Sequence, residues 1–529
     1  MEASVRQLTL TINGRQITAP AGETVLQTAL RHGISIPHLC THPNLPPFGA
    51  CRMCIVEIDG LRGYPASCST PATEGMVVRT DTPTLQNLRR SVLELILAEH
   101  PSACLVCDKR ELCEKYRPKP DKAGRTTGCN TCNNKQVCEI RDLSESIGLT
   151  SLPYVPFYRH LPVQRSEPFI RRDLNLCILC GRCVRICKHQ HGLATIDYVA
   201  RGSRTYVGTA FGRSLREAGC TFCGSCVDVC PTGSLAERYA KWYGGGEGSS
   251  ETTCILCDAG CAIRVVRDKD RAVTARAINE GVPICVLGRF GIPPFLGGKD
   301  RLRVPRVRYG LVLREVGWET AIARARERLQ TFTGDSFALV CETTASLEDR
   351  HVFGRFTCEV MKSSHLIEVT PDACGKSRAD LPAGVKAAWL MGKFVEAGKL
   401  AGIELLILQD CYPGPLDGLA EISFPAAVLA EIDGTVSQNG DFLALRRACL
   451  PPGFARPDWS IVADVARALG ATGFTYKSTQ AVATEAGLQP GRLRVERGEA
   501  PPAAMDPRKR WTHFRGHNLE EKVIGLTLL

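Results

Sequence analysis

Two consecutive runs of four cysteines constrain this chain more than any other feature of its sequence. Both have the spacing C-x2-C-x2-C-x3-C, and Pro231 follows the second: Cys177, Cys180, Cys183 and Cys187, then Cys220, Cys223, Cys226 and Cys230. In such a run, three thiolates bind one iron–sulfur cube and the fourth binds its neighbour. The spacing predicts one 4Fe–4S centre on Cys177, Cys180, Cys183 and Cys230, and another on Cys220, Cys223, Cys226 and Cys187. Eight buried structural cysteines are the alternative, whereas zinc would use separated C-x2-C pairs.

Apart from its cysteines, the chain has the composition of an ordinary multidomain globular protein. Its 529 residues suffice for several domains, and 44% hydrophobic and 23% charged residues are typical values. Residues 1–11 show neither a basic nor an apolar signal region, and no run of apolar residues is long enough to span a membrane. We therefore expect a cytoplasmic protein whose thiols are metal ligands and not disulfides.

The formal net charge of +11 would by itself suggest a nucleic-acid partner. Clusters bound by four thiolates carry negative charge, however, and would offset most of this excess. We therefore interpret the basic side chains as counter-charges that tune reduction potentials, and we expect no nucleic-acid binding.

The N-terminal region predicts a small domain around a 2Fe–2S cluster. Residues 5–18 alternate about Asn13-Gly14, which indicates a β-hairpin, and residues 23–32 have helical spacing. The next cysteines have the spacing C-x10-C-x2-C-x13-C: Cys40, Cys51, Cys54 and Cys68. This arrangement suits a 2Fe–2S rhomb, with Gly49 letting backbone amides approach the sulfurs. A zinc ion bound by the same four cysteines is the alternative to this cluster.

Residues 85–99 predict an amphipathic helix with one apolar stripe formed by Leu88, Val92, Leu95 and Ile96. The helix delivers His100 to the motif H-x3-C-x2-C-x5-C, whose cysteines are Cys104, Cys107 and Cys113. A histidine in this position is expected to be the fourth ligand of a 4Fe–4S cluster.

A second triplet, Cys129, Cys132 and Cys138, repeats the C-x2-C-x5-C spacing. Twenty-two cysteines and His100 make 23 ligands, one fewer than six four-ligand clusters need. Either a sixth cluster has a non-cysteine ligand, or this triplet binds no cluster. The candidates for the missing ligand are Asp142, His160, His189 and His191. The sequence also leaves open which triplet uses His100.

Residues 244–250 are interpreted as a linker. They are followed by Cys254, Cys257, Cys261 and Cys285, which predict a further 4Fe–4S site, with zinc again the alternative.

Strands are expected at 262–266 and 272–277, and α/β structure from Trp318 onward. That structure includes a helix at 321–329 and strands at 337–340 and 405–409. Five scattered cysteines are interpreted as packing residues: Cys341, Cys358, Cys374, Cys411 and Cys449. Residues 500–529 are expected to form an arm that packs on a partner or on the body of the protein.

The order of these segments resembles the large iron–sulfur subunit of NADH dehydrogenase (complex I). It also resembles the large subunits of NAD-dependent formate dehydrogenases and of electron-bifurcating complexes. The resemblance rests on FGACRMC, HPSACLVCDKRELCE, CNTCNNKQVCEIRDL and the eight-cysteine module. Later segments are similar to the pterin-binding molybdenum oxidoreductases: PICVLGRFG, DRLRVPRVRYG, GWETAIARA, FPAAVLAEIDGTVSQNGD and PDWSIVADVARALG.

The resemblance implies a multidomain α+β and α/β protein. Three iron–sulfur domains are expected first: a β-grasp 2Fe–2S ferredoxin-like domain (1–80), a His/Cys 4Fe–4S domain with the second triplet (81–150) and a double 4Fe–4S ferredoxin-like domain (151–243). A 4Fe–4S domain of molybdopterin-oxidoreductase type (244–310) follows. The chain then continues with a truncated α/β domain (311–475) and a C-terminal docking arm (476–529).

Three departures from the molybdenum family predict that the pterin and its metal are absent. The segment between Leu311 and Phe474 is too short to wrap two pterin dinucleotides. Val286-Leu287 stands where the family typically has a lysine, and Cys374 in PDACGKS lacks the flanking pattern of a metal-ligating cysteine.

We therefore expect an electron-transfer subunit with one 2Fe–2S cluster and four or five 4Fe–4S clusters, and without a catalytic site of its own. No G-x-G-x-x-G follows a strand, so NAD(P)H and FMN are assigned to a separate flavoprotein subunit. The resemblance also implies a small 2Fe–2S subunit and a further redox subunit or ferredoxin. The doubled triplet suggests a branched, electron-bifurcating path.

The alternative functions are a formate dehydrogenase-like catalytic subunit with Mo/W-pterin, and a zinc-binding nucleic-acid protein. Iron-only hydrogenases share the first cluster modules, but the cysteines after Cys285 do not supply their catalytic motifs.

Overall fold

The computed structural model describes residues 6–101, 104–105, 107, 109–117, 129, 132–155, 157–257, 259–278, 283–372, 374–438, 440–493 and 512–529. They form two compact units. Unit 1 comprises Met1–Cys220 and Gly224–Gly245, and unit 2 comprises Thr221–Cys223 and Gly246–Leu529. The division falls inside the predicted linker, but the linker assignment is wrong for its second half. There Gly248–Thr253 forms strand β9, because its backbone pairs with the strand Ala262–Asp268.

Unit 1 begins with the predicted hairpin, in which β1 (Gln7–Ile12) and β2 (Arg15–Pro20) pair antiparallel. Asn13 and Gly14 both have positive φ, as the two central residues of a type I′ turn require. Helix α1 (Val25–Arg31) follows, and its N-cap residue Thr24 forms a capping box with Gln27. Two short strands, β3 (Glu57–Ile58) and β4 (Val77–Arg79), complete a sheet of order β2-β1-β4-β3. The sheet and α1 enclose an apolar core that includes Leu10, Ile12, Val25, Leu26 and Val56.

Helix α2 spans Pro83–Ala98 and begins at Thr82, whose hydroxyl accepts a hydrogen bond from the Leu85 amide. The predicted apolar stripe is displaced by one position. The buried residues are Leu85, Arg89, Leu93 and Leu97, whereas Leu88, Val92 and Ile96 are half-buried and Leu95 is exposed. The reason is Arg89, which a hydrophobicity pattern places on the polar face. Its guanidinium donates to the carbonyls of Met53 and Ile55 and turns this face of the helix inward.

The rest of unit 1 consists of short elements that hold the cysteine loops. They are α3 (Arg110–Tyr116), α4 (Glu139–Ser146), β5 (Ile170–Arg172), α5 (Arg182–Arg185), β6 (Asp197–Val199), β7 (Tyr206–Gly208), α6 (Ser225–Asp228) and β8 (Leu235–Glu237). Strand β5 pairs antiparallel with β8, and β6 with β7, so unit 1 contains two further two-stranded ribbons.

Unit 2 starts with a three-stranded antiparallel sheet of order β11-β10-β9, in which β10 is Ala262–Asp268 and β11 is Arg271–Ala277. Both strands were predicted. Helix α7 (Ile292–Leu296) packs against β11. The loops at 254–261 and 283–287 carry the last four clustered cysteines.

The α/β part of unit 2 is built on a seven-stranded sheet of order β13-β12-β18-β17-β16-β14-β15. The strands are β12 (Arg306–Tyr309), β13 (Val312–Glu315), β14 (Phe337–Glu342), β15 (Leu366–Val369), β16 (Ala387–Leu390), β17 (Leu405–Asp410) and β18 (Ile422–Pro425). The five strands β14 to β18 run parallel, and β12 and β13 are antiparallel additions at one edge. The predicted strand at 405–409 lies at the centre of the sheet, and the one at 337–340 lies beside the edge strand β15. The continuous apolar sequence of both strands is buried on both faces.

Helices cover the sheet and a hairpin follows it. The helices are α8 (Trp318–Leu329), α9 (Leu347–Arg355), α10 (Asp458–Ala468) and α11 (Thr479–Glu485), and the hairpin is β19 (Gly434–Gln438) with β20 (Asp441–Leu445). The described C-terminal segment contains β21 (His513–Phe514), β22 (His517–Asn518) and α12 (Leu519–Lys522). This segment packs on the body of unit 2, one of the two predicted arrangements for the arm; residues 500–511 lie outside the described range. None of the described helices is both long and apolar enough to cross a bilayer.

Candidate iron–sulfur sites

The first group of cysteines converges on one point in the N-terminal domain. The thiol of Cys40 lies within hydrogen-bonding reach of Cys51 and Cys68, and Cys68 lies within reach of Cys54. The amide of Cys40 also points at the Cys51 sulfur, 3.4 Å away. Gly49 has φ +67°, and a Cβ there would lie 3.2 Å from Ser69 Oγ. A loop this tight suits a small cluster, so the four thiols fit a 2Fe–2S rhomb.

Contact between these four thiols lowers the pKa values of two of them and raises those of the other two. The hydrogen bond from Cys68, and then that from the Ser67 side chain, lowers the pKa of Cys54 to about 6 against the opposing effect of burial. The same contacts hold the pKa of Cys40 well below its ordinary value and raise the pKa values of Cys51 and Cys68. Four close thiols can all lose their protons only when positive charge joins them, and iron supplies that charge.

The eight-cysteine module brings together the ligands predicted for its first cube. Cys230, from the second run, lies close enough to Cys177, Cys180 and Cys183 to raise the pKa of each beyond the effect of burial. Burial is the larger cause and raises the pKa of Cys177 to about 11 and that of Cys180 to about 12. Cys230 thus lies near the first three cysteines of the other run, as the spacing predicts, although cluster binding itself stays a prediction.

Three of the second cube's predicted ligands, Cys187, Cys220 and Cys226, lie near one another's elements in unit 1. Cys226, on α6, has Cys183 as an electrostatic neighbour, and the π-helical turn Ile186–Gln190, which contains Cys187, packs on α6. The buried guanidinium of Arg172 interacts with both Cys220 and Cys226 and lies 3.6 Å from the carboxylate of Glu167. A buried cation beside the thiolates fits a cluster whose charge is negative.

One arginine joins the first two cluster regions. Arg185 lies on the helix between Cys183 and Cys187, and its guanidinium donates to the carbonyl of Cys40 and, at 2.7 Å, to that of Pro46. The guanidinium also stacks on the Phe48 ring, 4.8 Å from its centroid. The backbone of a predicted 2Fe–2S ligand is therefore held directly against a helix of the double 4Fe–4S module.

The His100 side chain has the features of a metal-binding imidazole. It is only 6% exposed, and burial lowers its pKa to about 4, so the ring is neutral near pH 7. The ring hydrogen-bonds to the backbone of Leu176, while its Nδ1 atom is buried without a partner among the described residues. Metal-binding histidines usually donate one ring N–H to a carbonyl, which leaves the other nitrogen's lone pair for the metal.

The two cysteine triplets differ in burial and meet at one pair of residues. Cys132 and Cys138 are buried, whereas Cys104 and Cys113 are half-buried and Cys107 is exposed. Burial raises the pKa of Cys132 to about 12 and that of Cys138 to about 11. The thiol of Cys129 contacts that of Cys104.

The non-cysteine candidates for a sixth cluster are placed less favourably. The side chain of Asp142 is 64% exposed, and His160 and His189 are also exposed. Of the four candidates, His191 is the one that is partly enclosed, and within the described part of the chain both of its ring nitrogens are buried without a partner. It follows Cys187 by four residues in the double 4Fe–4S module.

The last clustered group lies in unit 2. Cys254, which is fully buried, has Cys257, Cys261 and Cys285 as electrostatic neighbours, and its amide donates to the Cys261 carbonyl at 2.8 Å. Gly288 lies alongside, and a Cβ built there would be 3.6 Å from the Cys254 sulfur. The predicted fourth ligand thus comes to the triplet from the far end of β11.

The spread of the thiols favours clusters over zinc. Tetrahedral zinc–sulfur bonds of about 2.3 Å place two bound sulfurs roughly 3.8 Å apart. In the described part of the chain, only Asp410, Cys411 and His517 bring three possible ligand atoms within 4.8 Å of one another. No three thiols of one cysteine group come this close to one another among the described residues, although the Cys40 thiol lies within hydrogen-bonding reach of both Cys51 and Cys68.

The interpretation of the five scattered cysteines as packing residues is wrong for two of them. Cys341, Cys411 and Cys449 are buried, but Cys358 and Cys374 are exposed. Cys358 lies on the outer side of a π-helical turn, and Cys374 lies in a loop where its amide bonds to Asp372.

Sequence reasoning missed Arg185 and a set of buried charges in unit 2. His517 Nε2 lies 2.8 Å from Asp410, Arg515 pairs with Asp458 at 2.7 Å, and Arg301 pairs with Glu431 at 2.7 Å. Although burial opposes it, the charge of His517 keeps the pKa of Asp410 below its ordinary value. No local pattern marks these residues, because each partner comes from a distant part of the chain.

Comparison with known protein families agrees with the predicted modules. Residues 5–83 match a 2Fe–2S iron–sulfur cluster binding domain, and residues 89–114 match the NADH-ubiquinone oxidoreductase-G iron–sulfur binding region. Residues 167–236 match the ferredoxin-like domain of NADH-quinone oxidoreductase subunit 3. The chain is thus a mixed α/β multidomain iron–sulfur protein with 2Fe–2S ferredoxin-like and 4Fe–4S domains.

Several curated proteins are similar over this region. A NADH-quinone oxidoreductase subunit of Rhizobium meliloti is 37% identical over 61% of this chain and 36% of its own length. The alpha subunit of NADPH-Fe(3+) oxidoreductase from Geobacter sulfurreducens is 31% identical over 65% of this chain and 38% of its own. The HndD subunit of the NADP-reducing hydrogenase from Solidesulfovibrio fructosivorans is 33% identical over 54% of this chain and 45% of its own length.

Over part of its length, the chain is thus similar to subunits of NADH- and NADPH-linked oxidoreductases. The matches span less than half the length of each of these three relatives.

Proposed function

We propose that this chain is an electron-transfer subunit of a multi-subunit NAD(P)H-linked oxidoreductase and has no active site of its own. It would carry one 2Fe–2S cluster and four or five 4Fe–4S clusters on the 22 clustered cysteines and His100. The fit of the thiols supports this, as do the relatives, whose names are those of NADH- and NADPH-linked oxidoreductase subunits.

The observation that carries the proposal is the continuity of ligand groups through unit 1. Cys40 of the first group is tied by Arg185 to the helix of Cys183 and Cys187. Cys183 in turn has Cys226 as an electrostatic neighbour across the double module. Ligand groups in contact favour electron transfer through the protein over separate structural metal sites.

The proposed partners follow from what this chain lacks in its sequence. A flavoprotein with FMN would exchange electrons with NAD(P)H, and a small 2Fe–2S subunit would accompany it. A further redox subunit or ferredoxin would lie at the other end of the path, and an electron-bifurcating complex would use the extra triplet as a branch. The domain divisions given above, from 1–80 to 476–529, are part of this proposal.

We further propose that the α/β part of unit 2 is a truncated molybdopterin-oxidoreductase fold that serves as a scaffold. Ligands of parallel α/β sheets bind at the carboxyl ends of the strands. Here Asp410 and Glu342, which end β17 and β14, face the chain's own C-terminal segment, because His517 and Arg515 interact with them. The cavity lined by Glu342, Asp349 and Arg515 has a volume of about 40 Å³. A few waters would fill it, which is far less than a pterin dinucleotide needs.

Metal analysis separates this proposal from the catalytic alternative. A formate dehydrogenase-like subunit would contain stoichiometric molybdenum or tungsten with extractable pterin. The electron-transfer proposal expects iron and acid-labile sulfide without either metal. A zinc protein would be colourless and free of sulfide, and it would overturn both.

The test of the function is the variant Cys226→Ala in the complex that copurifies with the chain. Removing one ligand is expected to eliminate one 4Fe–4S cluster and block electron transfer across the complex. Reduction of the partner flavin by NAD(P)H should persist, since that step precedes the lost cluster. Stopped-flow flavin absorbance and steady-state turnover measure the two steps separately.

Cys358→Ala is the matched control, because Cys358 is exposed and lies outside every cysteine group. It should retain both flavin reduction and turnover. Unchanged turnover in Cys226→Ala would show that the double 4Fe–4S module is not on the path, and the proposal would fail.

A further inference from the structure

We propose that Asp410, Cys411 and His517 form a buried zinc site in unit 2, built from residues that none of the predicted clusters uses. The three side chains offer a carboxylate oxygen, a thiol sulfur and a ring nitrogen, and these atoms lie within 4.8 Å of one another. Zinc binds all three kinds of ligand, and in a tetrahedral site two such atoms lie roughly 3.3–3.6 Å apart. The group therefore has nearly the spacing that one zinc ion requires. The ion would link the segment of His517 to the end of strand β17.

Two of the ligands come from the carboxyl end of a central strand. Strand β17 ends at Asp410, and Cys411 is the next residue. The Cys411 amide donates a hydrogen bond to the Asp410 carboxylate at 2.6 Å, which holds the carboxylate beside the residue that carries the thiol. The Cys411 carbonyl accepts hydrogen bonds from the Arg301 guanidinium at 3.2 Å and from the Leu302 amide at 3.0 Å. The backbone that presents both side chains is thus fixed.

The hairpin of β21 and β22 supplies the third ligand. His517 begins β22, and its Nε2 atom lies 2.8 and 2.9 Å from the two carboxylate oxygens of Asp410. Gly516 has φ +74°, and a Cβ there would collide with the Lys393 carbonyl, so this close turn requires glycine. The Lys393 amide also donates to the Arg515 carbonyl at 3.0 Å. These contacts hold the imidazole in one position, as a metal ligand requires.

The charges around the group suit one divalent ion. Both neighbouring guanidiniums already have a carboxylate partner at 2.7 Å: Arg515 with Asp458, and Arg301 with Glu431. Burial, and then the charge of Asp410, raises the pKa of the Cys411 thiol. Zinc would replace the proton of this thiol, because a metal-bound cysteine is a thiolate. Zinc with the two anionic ligands, Asp410 and Cys411, then makes a buried site without net charge.

An ion pair between His517 and Asp410 is the alternative, and the composition of the group favours zinc. A single N–H bond is strongest when it points at one acceptor, whereas Nε2 lies almost equally far from both oxygens of Asp410. The ion pair also gives no role to Cys411, although its sulfur belongs to the same compact group. Thiolate, imidazole and carboxylate together are a ligand set that zinc accepts.

Zinc content and zinc X-ray absorption of the full-length chain test the site. The chain is produced with its clusters in medium that contains iron and zinc, and it is purified anaerobically. We expect about one zinc per chain, with one sulfur ligand at about 2.3 Å and nitrogen or oxygen ligands at about 2.0–2.2 Å. Zinc in a vacant cluster site would have at least three sulfur ligands, so the spectrum distinguishes the two locations.

Two variants each remove one ligand from a different element. Cys411→Ala and His517→Ala should both lose the zinc and keep the iron content of the wild type. Cys449→Ala is the matched control, because Cys449 is also buried in unit 2 but lies outside the ligand group. Tryptophan emission at the wild-type wavelength shows that the sheet around the buried Trp389 has folded. Cys411→Ala leaves the hairpin unchanged, so it decides the test if His517→Ala does not fold.

A wild type without zinc would overturn the proposal, and so would zinc with three or more sulfur ligands. Zinc that Cys411→Ala retains, or that Cys449→Ala also loses, would overturn it as well. None of these results depends on electron transfer, so the zinc site and the proposed function can fail separately.

The link to the C-terminal segment has its own measurement. Zinc that binds only the native state stabilises it. Removing the zinc with a chelator should therefore lower the urea midpoint of the wild type, followed by tryptophan fluorescence, and leave that of Cys411→Ala unchanged. Equal shifts in the two proteins would contradict a zinc ion that holds this segment on the sheet.

Discussion

Replacing Arg301 with methionine is expected to destabilise unit 2 by about 3–5 kcal/mol. The Arg301 guanidinium forms two hydrogen bonds with the Glu431 carboxylate, at 3.0 and 2.7 Å, and both side chains are almost completely buried. The same guanidinium donates to the Cys411 and Leu296 carbonyls. Methionine fills most of the volume but leaves the carboxylate buried without its counter-charge. Urea unfolding of the full chain, followed by tryptophan fluorescence, measures the loss.

The stability lost in Arg301→Met should increase with pH, because the Glu431 carboxyl titrates. Burial raises the pKa of Glu431 above its ordinary 4.5 even beside Arg301. Without Arg301 the pKa rises further, so the native state holds a proton that the unfolded state releases. Stability of the variant relative to the wild type should therefore fall as pH rises above 4.5. The loss should be larger at about pH 8 than at about pH 5.5.

The double variant Arg301→Met with Glu431→Gln is the matched control. It removes both charges and keeps an amide oxygen that can accept the Val428 amide hydrogen bond now made by Glu431. Most of the lost stability should return, because removing both members of a buried pair costs less than removing one. Equal destabilisation in the single and double variants would show that packing, not the uncompensated charge, is the main contribution.

The second large effect is expected for Arg185→Met, which removes the cation between the first two cluster regions. Cys40 and Cys180 both interact with this charge, which burial otherwise disfavours. A positive charge stabilises the reduced form of a cluster, so its loss should lower the reduction potentials of the clusters that we propose on these residues. For scale, Coulomb's law gives about 1.4 kcal/mol, or about 59 mV for one electron, for a charge at about 12 Å and an effective dielectric constant of about 20. Redox titration followed by EPR measures the shift.

Arg185→Lys separates the charge from the contact. Lysine keeps the positive charge but cannot reproduce the planar pair of bonds to the Cys40 and Pro46 carbonyls or the stack on Phe48. The potentials should stay near those of the wild type, while electron transfer from the 2Fe–2S cluster slows. Potentials that drop equally in both variants would contradict an electrostatic role for Arg185.

The local structure near the cysteines was largely predictable because short-range rules govern it. The Asn13-Gly14 turn, helix α1 and strand β17 follow from turn chemistry and hydrophobic pattern alone. The stripe of α2 was predicted one position away, since Arg89 enters the interior by bonding to carbonyls that no periodicity reveals. The predicted linker failed in the same way, because β9 forms only by pairing with β10.

The sequence by itself determined the kind of chemistry, because cysteine spacing limits which thiols can share a cluster within one loop. It also predicted that Cys230 would join the group of Cys177, Cys180 and Cys183, as the structure places it. Only the tertiary structure placed Arg185 between two ligand groups and brought Arg515 and His517 into the crevice of the α/β sheet. Those contacts join residues far apart in the chain, and burial and charge pairing select them only once the chain has folded.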